Sequence, residues 1–294
     1  MARERKPEYK PLLFTTTIRN PERIKFFIYV INEFDGKLVT DELATQIVGK
    51  AIQYGLYRPM KKTKKIKDKW KSTDSGEFAE YILSDEEVKW MLLHNPQKHK
   101  EAGYGKGWPS RFQTEFLFPK QLGLVYYAPG ERIRITELGR RLLSCFHVSI
   151  SNVSHIDYEE DQPENEQSVF IQAMAKYQRC NPLIKVLNDN VPLILLLQVV
   201  KKLDANPKYN DHKGKPKGIS RKELPLLIFW KDNNAEKLYE RIVKLRNEYK
   251  YDPSDEVIRD ICTEEIMEGK FKKFDMKSMM QDYPDEFIRK MRIT

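Results

Sequence analysis

The sequence predicts a mainly α-helical fold with small β-hairpins, and three observations support this. Apolar residues recur at the three-to-four-residue spacing of helices in both halves of the chain. Alternation of apolar and polar residues, which is typical of a half-buried strand, is clearest at residues 132–135. The 294 residues are 40% apolar and 32% charged, a composition typical of a soluble chain with two cores of ordinary size.

The first two helices are predicted before residue 56. Asn20 can cap a helix that places Pro21 at its first position and runs to Phe34 with a regular apolar stripe. An Asp-Gly turn then predicts a break in the chain. After it, Thr40 can cap a second helix that ends near Gly55.

A lysine-rich segment, residues 58–71, follows the second helix. It holds eight basic residues and one acidic residue, with Trp70 among them. Such runs are often only solvated surface, but the lack of balancing carboxylates favours a mobile arm that binds phosphates. The residues predicted to bind phosphate in this arm are Lys61, Lys62, Lys64, Lys65, Lys67, Lys69 and Lys71.

The net charge of the chain supports a polyanionic partner. The formal charge is +9, and residues 1–150 hold 27 basic and 18 acidic side chains, whereas residues 151–294 hold 25 of each. Because clustered Lys and Arg side chains displace condensed counterions from phosphates, this one-sided surplus indicates nucleic acid.

Residues 85–143 contain the most informative order of elements. A helix at 85–94 can be capped by Ser84, a second helix begins near Trp108, and a strand–turn–strand pattern leads to a helix capped by Thr136. Three helices, a hairpin and a helix form the order of a winged-helix domain, whose helix before the hairpin enters the DNA major groove. The hairpin would be the wing, with Arg132 and Arg134 on its polar face to bind phosphates.

The helix after Trp108 is the candidate recognition helix. Phe112 and Phe116 lie one turn apart and are predicted to face the core. The side chains left on the other side, which are predicted to read bases, are Ser110, Arg111, Thr114 and, at the flank, Gln113.

The second half of the chain is predicted to be a separate helical region. Six carboxylates within residues 157–166 predict an acidic linker, residues 151–166, after a first DNA-recognition domain at 1–150. A second winged-helix-like or helix-turn-helix domain is predicted at 167–250, so that the two modules stand in tandem, and a helical connector at 251–294. The helices expected here lie at 164–179, 193–203, after Ser220, at 235–250, and within 254–294, where Pro284 suits a first turn. A basic loop of this half contains Lys208, Lys213, Lys215 and Lys217. The residues predicted to bind phosphate in this half are Lys213, Lys215, Lys217, Arg221 and Lys222.

Composition excludes several classes of protein. The longest nearly apolar stretch is ten residues, 191–200, whereas a membrane span needs about 20. The N-terminus has no apolar segment of signal-peptide type, and Cys145, Cys180 and Cys262 are too few and too scattered for a disulfide framework or a paired zinc site. A cytoplasmic protein without a membrane partner or a metal needed for DNA binding is therefore expected.

Two Glu-x-Lys triplets are candidate parts of a nuclease site in this chain. Nucleases often hold Mg²⁺ with an Asp followed by such a triplet on adjacent strands. Glu87-Val88-Lys89 lies in a predicted helix, and Glu268-Gly269-Lys270 follows Asp255 in a charge-rich stretch. Such triplets arise often by chance in a highly charged chain, so no catalytic residue is predicted, and Asp255, Glu268 and Lys270 remain the alternative.

Several stretches of the chain resemble the AlwI-type restriction endonucleases, a family that includes type IIS and nicking enzymes. They are KPLLFTTTIRNPERIKFFIYVINEFDGK, YGLYRP, WPSRFQTEFLFPKQLGLVYY, RIRITELGRRLL, NPLIKVL, GISRKELPLLIFW and FIRKMRIT. The resemblance implies tandem winged-helix modules that recognise an asymmetric site in double-stranded DNA. It also implies a separate C-terminal nuclease domain of the PD-(D/E)xK type, dependent on Mg²⁺, that cuts outside the site.

The resemblance also assigns residues. It places base reading on Trp108 together with the four residues of the same helix named above, and DNA contacts of the second module on Lys217, Arg221 and Lys222. It implies that this chain is a recognition portion, a monomer on DNA, with the nuclease domain or a second subunit as a further partner. Two alternatives stay open, a winged-helix transcriptional regulator and a complete small nuclease subunit.

Overall fold

The computed structural model describes residues 21–74, 76–101, 103–152, 154–161, 163–177, 190–210, 218–269 and 275–292. It is mostly helical, with two small antiparallel hairpins. The described residues fall into two compact units that meet in sequence between Ala173 and Met174. They are called the N-terminal unit and the C-terminal unit below, and the four predicted domain ranges stay a prediction.

The N-terminal unit begins with a 3₁₀ turn, Pro21–Arg23, and holds seven helices and four strands among its described residues. The elements are α1 (Ile24–Asn32), α2 (Asp41–Gln53), α3 (Lys64–Lys69), α4 (Asp85–His94), α5 (Trp108–Gln121), β1 (Val125–Tyr126), β2 (Arg134–Ile135), α6 (Glu137–Leu143), β3 (Phe146–Ile150), β4 (Ile156–Glu160) and α7 (Pro163–Met174).

Side-chain caps start the helices where the sequence predicts them. The Thr40 hydroxyl accepts the Leu43 N–H at 3.1 Å, and the Thr136 hydroxyl accepts the Gly139 N–H at 3.1 Å. Ser84 and Glu87 form a reciprocal capping box at the start of α4. These caps form in the folded protein because each accepts a backbone N–H that the first helical turn leaves without a partner.

The core of this unit lies between α1, α2 and α5. Phe112 and Phe116 are fully buried, as predicted, and the Phe116 ring lies 5.5 Å from the ring of Phe27 on α1. Phe112 also packs 4.6 Å from Tyr127, which follows β1. Helix α5 is thus fixed from inside by aromatic packing rather than by its polar residues.

The first hairpin has the predicted alternation. β1 and β2 pair antiparallel, with Val125 opposite Ile135, and Ile135 is buried while Arg134 is exposed. Gly139 of α6 packs directly beneath this hairpin, because a Cβ there would lie 2.1 Å from the Leu124 carbonyl oxygen.

The second hairpin extends into residues 151–166, the range of the predicted acidic linker. β3 and β4 pair over five residue pairs, from Phe146 opposite Glu160 to Ile150 opposite Ile156. The buried Lys25 ammonium lies 2.9 Å from Glu166 and also bonds Glu160. Burial alone would lower the pKa of Lys25, but the two carboxylates outweigh it and raise that pKa. Two of the six carboxylates within residues 157–166 therefore neutralise the buried Lys25.

The C-terminal unit is helical, and its described residues contain no strand. The elements are α8 (Pro192–Ala205), α9 (Pro207–Asn210), α10 (Leu224–Phe229), α11 (Ala235–Tyr249), α12 (Asp255–Asp260), which continues as a π-helix (Ile261–Ile266), and a second π-helix (Ser278–Asp282) that continues as α13 (Tyr283–Met291). Helices α8 and α11 agree with the prediction, and Pro284 lies in the first turn of α13.

One helix start in this unit differs from the prediction. α10 begins at Leu224 rather than directly after Ser220, and a turn closed by the hydrogen bond from the Glu223 N–H to the Ser220 carbonyl, 3.0 Å long, precedes it. The Glu223 carboxylate also accepts the Ser220 N–H at 2.8 Å. Glu223 also binds the buried Arg246 of α11 through two hydrogen bonds of 2.7 and 2.8 Å. The pair fixes the start of α10 against α11.

Candidate nucleic-acid interface

The lysine-rich segment is folded, so the expectation of a mobile arm is wrong. Thr63 caps α3, and Ile66 and Trp70 are buried under it. The Arg58 guanidinium lies 5.3 Å from the Trp70 ring and donates to the Trp70 carbonyl at 2.9 Å. The interleaved apolar residues that sequence reasoning assigned to a flexible arm instead anchor the segment.

Two of the predicted phosphate-binding lysines already have carboxylate partners. Lys69 lies 2.7 Å and Lys65 3.1 Å from Glu87 of α4. Burial would raise the pKa of Glu87, but hydrogen bonds from these lysines and from the Ser84 N–H lower it on balance. The triplet that begins at Glu87 is therefore explained by helix capping and by the docking of α3 on α4.

The other lysines of this segment are not neutralised. Within the described part of the chain, no carboxylate forms an ion pair with Lys61, Lys62, Lys64, Lys67 or Lys71. The pKa of Lys62 is lowered, first by its partial burial and then by the positive charges of Arg58 and Lys67. Like charges held this close produce a positive potential that a polyanion would relieve.

The first hairpin and the turn that leads into β2 present two arginines to solvent. Arg132 and Arg134 are exposed, Arg132 donates to the Gly36 carbonyl at 2.7 Å, and Arg134 lies 4.9 Å from the Tyr126 ring. Both contacts orient a guanidinium without neutralising it. The arrangement suits phosphate binding, which stays a prediction.

Helix α5 is covered more completely than the sequence indicates. Ser110 is fully buried and its hydroxyl accepts the Glu101 N–H, so the expectation that it lies on the outer side is wrong. The Trp108 indole donates to the Leu92 carbonyl at 3.0 Å, and Thr114 lies 2.9 Å from His99. Every side chain on α5 is buried or half-buried.

Arg111 is held loosely on the same helix. Its side chain is 24% exposed, its guanidinium lies 5.0 Å from the Tyr57 ring, and its Nη1 lies 3.6 Å from Glu115 Oε1. That separation is too long for a hydrogen bond. The Arg111 Nε atom has no hydrogen-bond partner among the described residues.

Glu115 is the most strongly perturbed carboxyl of this region. It is 3% exposed, and burial raises its pKa to about 8, which Arg111 offsets only in part. Attraction to the nearby Arg111 guanidinium lowers the pKa of Glu115. The loss of hydration raises that pKa by more, because Arg111 forms no hydrogen bond with the carboxylate. At neutral pH Glu115 is therefore largely protonated, and Arg111 keeps its capacity to bind an acceptor.

Sequence reasoning missed Tyr57 and Glu115 as partners of Arg111. Glu115 lies one turn after Arg111, which is a detectable signal. The Tyr57 contact joins two segments that are distant in sequence, so no local pattern could have revealed it. Gln113 Oε1 is also buried without a hydrogen-bond partner among the described residues.

The predicted DNA-contacting residues of the C-terminal unit are engaged with carboxylates where they are described. Arg221 lies 2.7 Å from Asp285, and Lys222 lies 2.5 Å from Asp252. Lys208 donates to the Asn247 side chain at 2.6 Å. Lys213, Lys215 and Lys217 lie outside the described residues.

Two residues of the alternative catalytic set, Asp255 and Glu268, are described, and they lie near opposite ends of one helical stretch. Asp255 begins α12 and Glu268 follows the π-helix that continues it, which separates their backbones by about 15 Å at about 1.2–1.5 Å per residue. Mg²⁺ ligands must all lie about 2.1 Å from the ion. Glu268 is also paired with Lys231, and Lys270 lies outside the described residues. No three His, Cys, Asp or Glu side chains in the described ranges are arranged to hold a metal ion.

Two sequence expectations concern cysteines and membranes. Cys145 and Cys262 are buried and carry free thiols, whereas Cys180 is not among the described residues. No helix in the described part of the chain combines the length and apolar character that crossing a bilayer requires.

Comparison with known proteins identifies the family. A search of curated proteins finds no match to this chain. The model of the AlwI restriction endonuclease family matches residues 120–294, more than half of the chain, from the end of α5 onward. A family of restriction endonucleases implies DNA binding and suggests a divalent metal for cleavage, and the described residues offer no cluster that fits that metal. This chain belongs to the AlwI restriction endonuclease family.

Proposed function

We propose that this chain is the sequence-specific, double-stranded DNA recognition portion of an AlwI-like type IIS restriction or nicking endonuclease. The observation that carries the proposal is the group of five lysines on and around α3 that have no carboxylate partner among the described residues, Lys61, Lys62, Lys64, Lys67 and Lys71. Some exposed basic residues elsewhere, such as Arg140 and Arg221, are paired with carboxylates. A surface that keeps its positive charge concentrated is suited to the phosphate backbone of DNA.

In this proposal the N-terminal unit acts as a winged-helix module. The order of α1, α2 and α5, followed by β1–β2 and α6, supports the assignment. Helices α3 and α4 are then an insertion before the recognition helix. The arginines of the wing would bind phosphates, as predicted.

Arg111 is the proposed base-reading residue of α5. It is held by the Tyr57 ring and not by a hydrogen-bonded carboxylate, so it can move to a guanine edge at small cost. Trp108, Gln113 and Thr114 are half-buried and would contact bases only if residues packed against α5, such as His99, shift. Ser110 is assigned a structural role because it is fully buried.

Cleavage is proposed to depend on Mg²⁺ in a PD-(D/E)xK nuclease domain or in a second subunit, and the chain to bind DNA as a monomer. The test of catalysis is incubation of plasmid DNA with the purified chain and Mg²⁺. We expect no cleavage. Cleavage that Glu268→Ala abolishes would instead favour a complete small nuclease.

The test of recognition is selection of bound sites from a random duplex pool. We expect a single asymmetric consensus of about four to seven base pairs, since a monomer has no two-fold symmetry to impose on DNA. A palindromic consensus bound by a dimer would favour a winged-helix transcriptional regulator instead. No selected sequence at all would contradict sequence-specific recognition.

A further inference from the structure

We propose that the connection between α4 and α5, residues 95–101, stays in place when DNA binds and contacts the phosphate backbone through Lys98 and Lys100. The inference rests on the proposed function and goes beyond it, because it assigns DNA contact to a segment outside α5, the wing and the lysine-rich segment. It also gives to this connection the side of α5 on which the sequence predicts base reading by Ser110 and Thr114.

Two hydrogen bonds hold the connection on α5. The His99 Nε2 atom lies 2.9 Å from the Thr114 hydroxyl oxygen, and the Glu101 N–H donates to the Ser110 hydroxyl. The two-residue step from His99 to Glu101 spans about 7 Å when extended, and the helical turn from Ser110 to Thr114 rises about 6 Å. The two contacts match in spacing, so the connection runs antiparallel to α5 along this side of the helix.

The Thr114 hydroxyl has little capacity left to read a base. It donates its hydrogen to the Ser110 carbonyl at 3.2 Å, which leaves its oxygen to accept from His99 in the Nε2–H tautomer. The Ser110 side chain is fully buried. A duplex that approaches this side of α5 therefore meets the connection before it meets Thr114.

The side chains of the connection alternate between inward and outward positions. Gln97 and His99 are half-buried, and the Gln97 amide donates to the Asn95 carbonyl at 2.9 Å. Lys98 and Lys100, which alternate with them, are exposed. Neither lysine forms an ion pair with a carboxylate of the described residues. Both ammonium groups therefore keep their charge on the outer side of the connection.

The connection extends the positive surface of the lysine-rich segment. The buried Asn95 side chain accepts the Lys61 N–H at 2.8 Å and donates to the Lys61 carbonyl at 3.0 Å, which fixes the two segments side by side. Glu101 is the single acidic residue of the connection. Because cations on neighbouring segments add their potentials, the partner that fits this surface is a polyanion with closely spaced charges, such as duplex DNA.

The test compares the full chain with its Lys98→Gln/Lys100→Gln variant on a duplex that carries the selected site and on a mixed-sequence duplex, over a range of salt concentrations. Each lost phosphate contact removes about 0.9 from the slope of log K against log salt concentration, so the slope should fall by about two. The selected sequence should not change, because phosphate contacts position a protein without reading bases.

The matched control is Lys202→Gln/Lys244→Gln, which removes two lysines that are paired with carboxylates in the C-terminal unit. It should keep the wild-type slope. An unchanged slope in the Lys98→Gln/Lys100→Gln variant would overturn the inference and leave DNA binding intact. A wild type that binds neither duplex would overturn the proposed function as well.

A second variant, His99→Ala, tests whether the connection stays in place. It removes the imidazole that holds the connection on α5 and leaves the Thr114 hydroxyl unchanged. If the connection contacts DNA where it lies, the variant should bind about two- to tenfold more weakly, because the two lysines must then be ordered on binding. Tighter binding by the variant would mean that the connection has to leave before α5 can read bases, and would overturn the inference.

Discussion

The strongest quantitative prediction concerns Glu115. Its side chain is 3% exposed and lies on α5 with Oε1 lacking a hydrogen bond, and burial raises its pKa from 4.5 to about 8. Glu115→Gln keeps the shape of the side chain and removes its ability to ionise. The substitution therefore isolates the free energy that ionisation of this one carboxyl removes from the folded state.

Linkage between protonation and folding determines whether the free energy of unfolding rises or falls with pH. Below the unfolded pKa the carboxyl is protonated in both states and makes no difference to stability. As pH rises from there toward about 8, the unfolded chain ionises while the folded chain retains the proton, so the folded state loses stability. One pKa unit corresponds to about 1.4 kcal/mol, so the total loss is at most about 5 kcal/mol. Glu115→Gln should not suffer this loss.

The assay is urea unfolding at several pH values between 4.5 and 8. Of the four tryptophans, Trp70, Trp90 and Trp108 lie in the N-terminal unit, so a Trp230→Phe background makes fluorescence report that unit alone. The variant should become more stable relative to the parent as pH rises. The matched control, Glu42→Gln, replaces an exposed glutamate of α2 and should leave the pH dependence of the parent unchanged.

Parallel stability curves for Glu115→Gln and its parent would refute this reasoning. They would mean that Glu115 is ionised in the folded protein and pairs fully with Arg111. The guanidinium would then be locked in place, and its proposed movement to a base edge would lose its structural basis.

Three further predictions follow from other parts of the molecule. Arg111→Ala should cost about 1–3 kcal/mol on the selected site and relax preference at one base pair, as measured by competition binding; equal weakening on every sequence would contradict base reading. Replacing four of the five unpaired lysines by Gln, namely Lys61, Lys62, Lys64 and Lys67, should lower the slope of log K against log salt concentration by about three to four; an unchanged slope would mean that these lysines are only solvated surface. Its control, Lys65→Gln/Lys69→Gln, removes lysines already paired with Glu87 and should change the slope less. Gly139→Ala should destabilise the N-terminal unit by roughly 2 kcal/mol or more in urea unfolding, because its Cβ would lie 2.1 Å from a carbonyl oxygen; Gly123→Ala, which has a φ of +74° but no close neighbour, should cost only about 1 kcal/mol from backbone strain.

The sequence by itself determined the local elements of this protein. Thr40, Ser84 and Thr136 cap the helices that they were expected to cap, and the alternation at residues 132–135 forms a strand of the first hairpin. Caps, turns and periodicity act within a few residues, so they can be recognised without knowing what packs against them. The motifs of the chain also indicated its family, which the match over residues 120–294 confirms.

The tertiary structure alone decided which charged and polar side chains are available. Ser110 is buried and bonds the Glu101 N–H, Glu87 pairs with Lys65 and Lys69, and Lys25 pairs with Glu160 and Glu166 of the acidic stretch. Each of these contacts joins different segments of the chain, and the two made by Lys25 span 135 and 141 residues. The availability of a charge depends on burial and on the distance to an opposite charge, and both quantities exist only once the chain has packed.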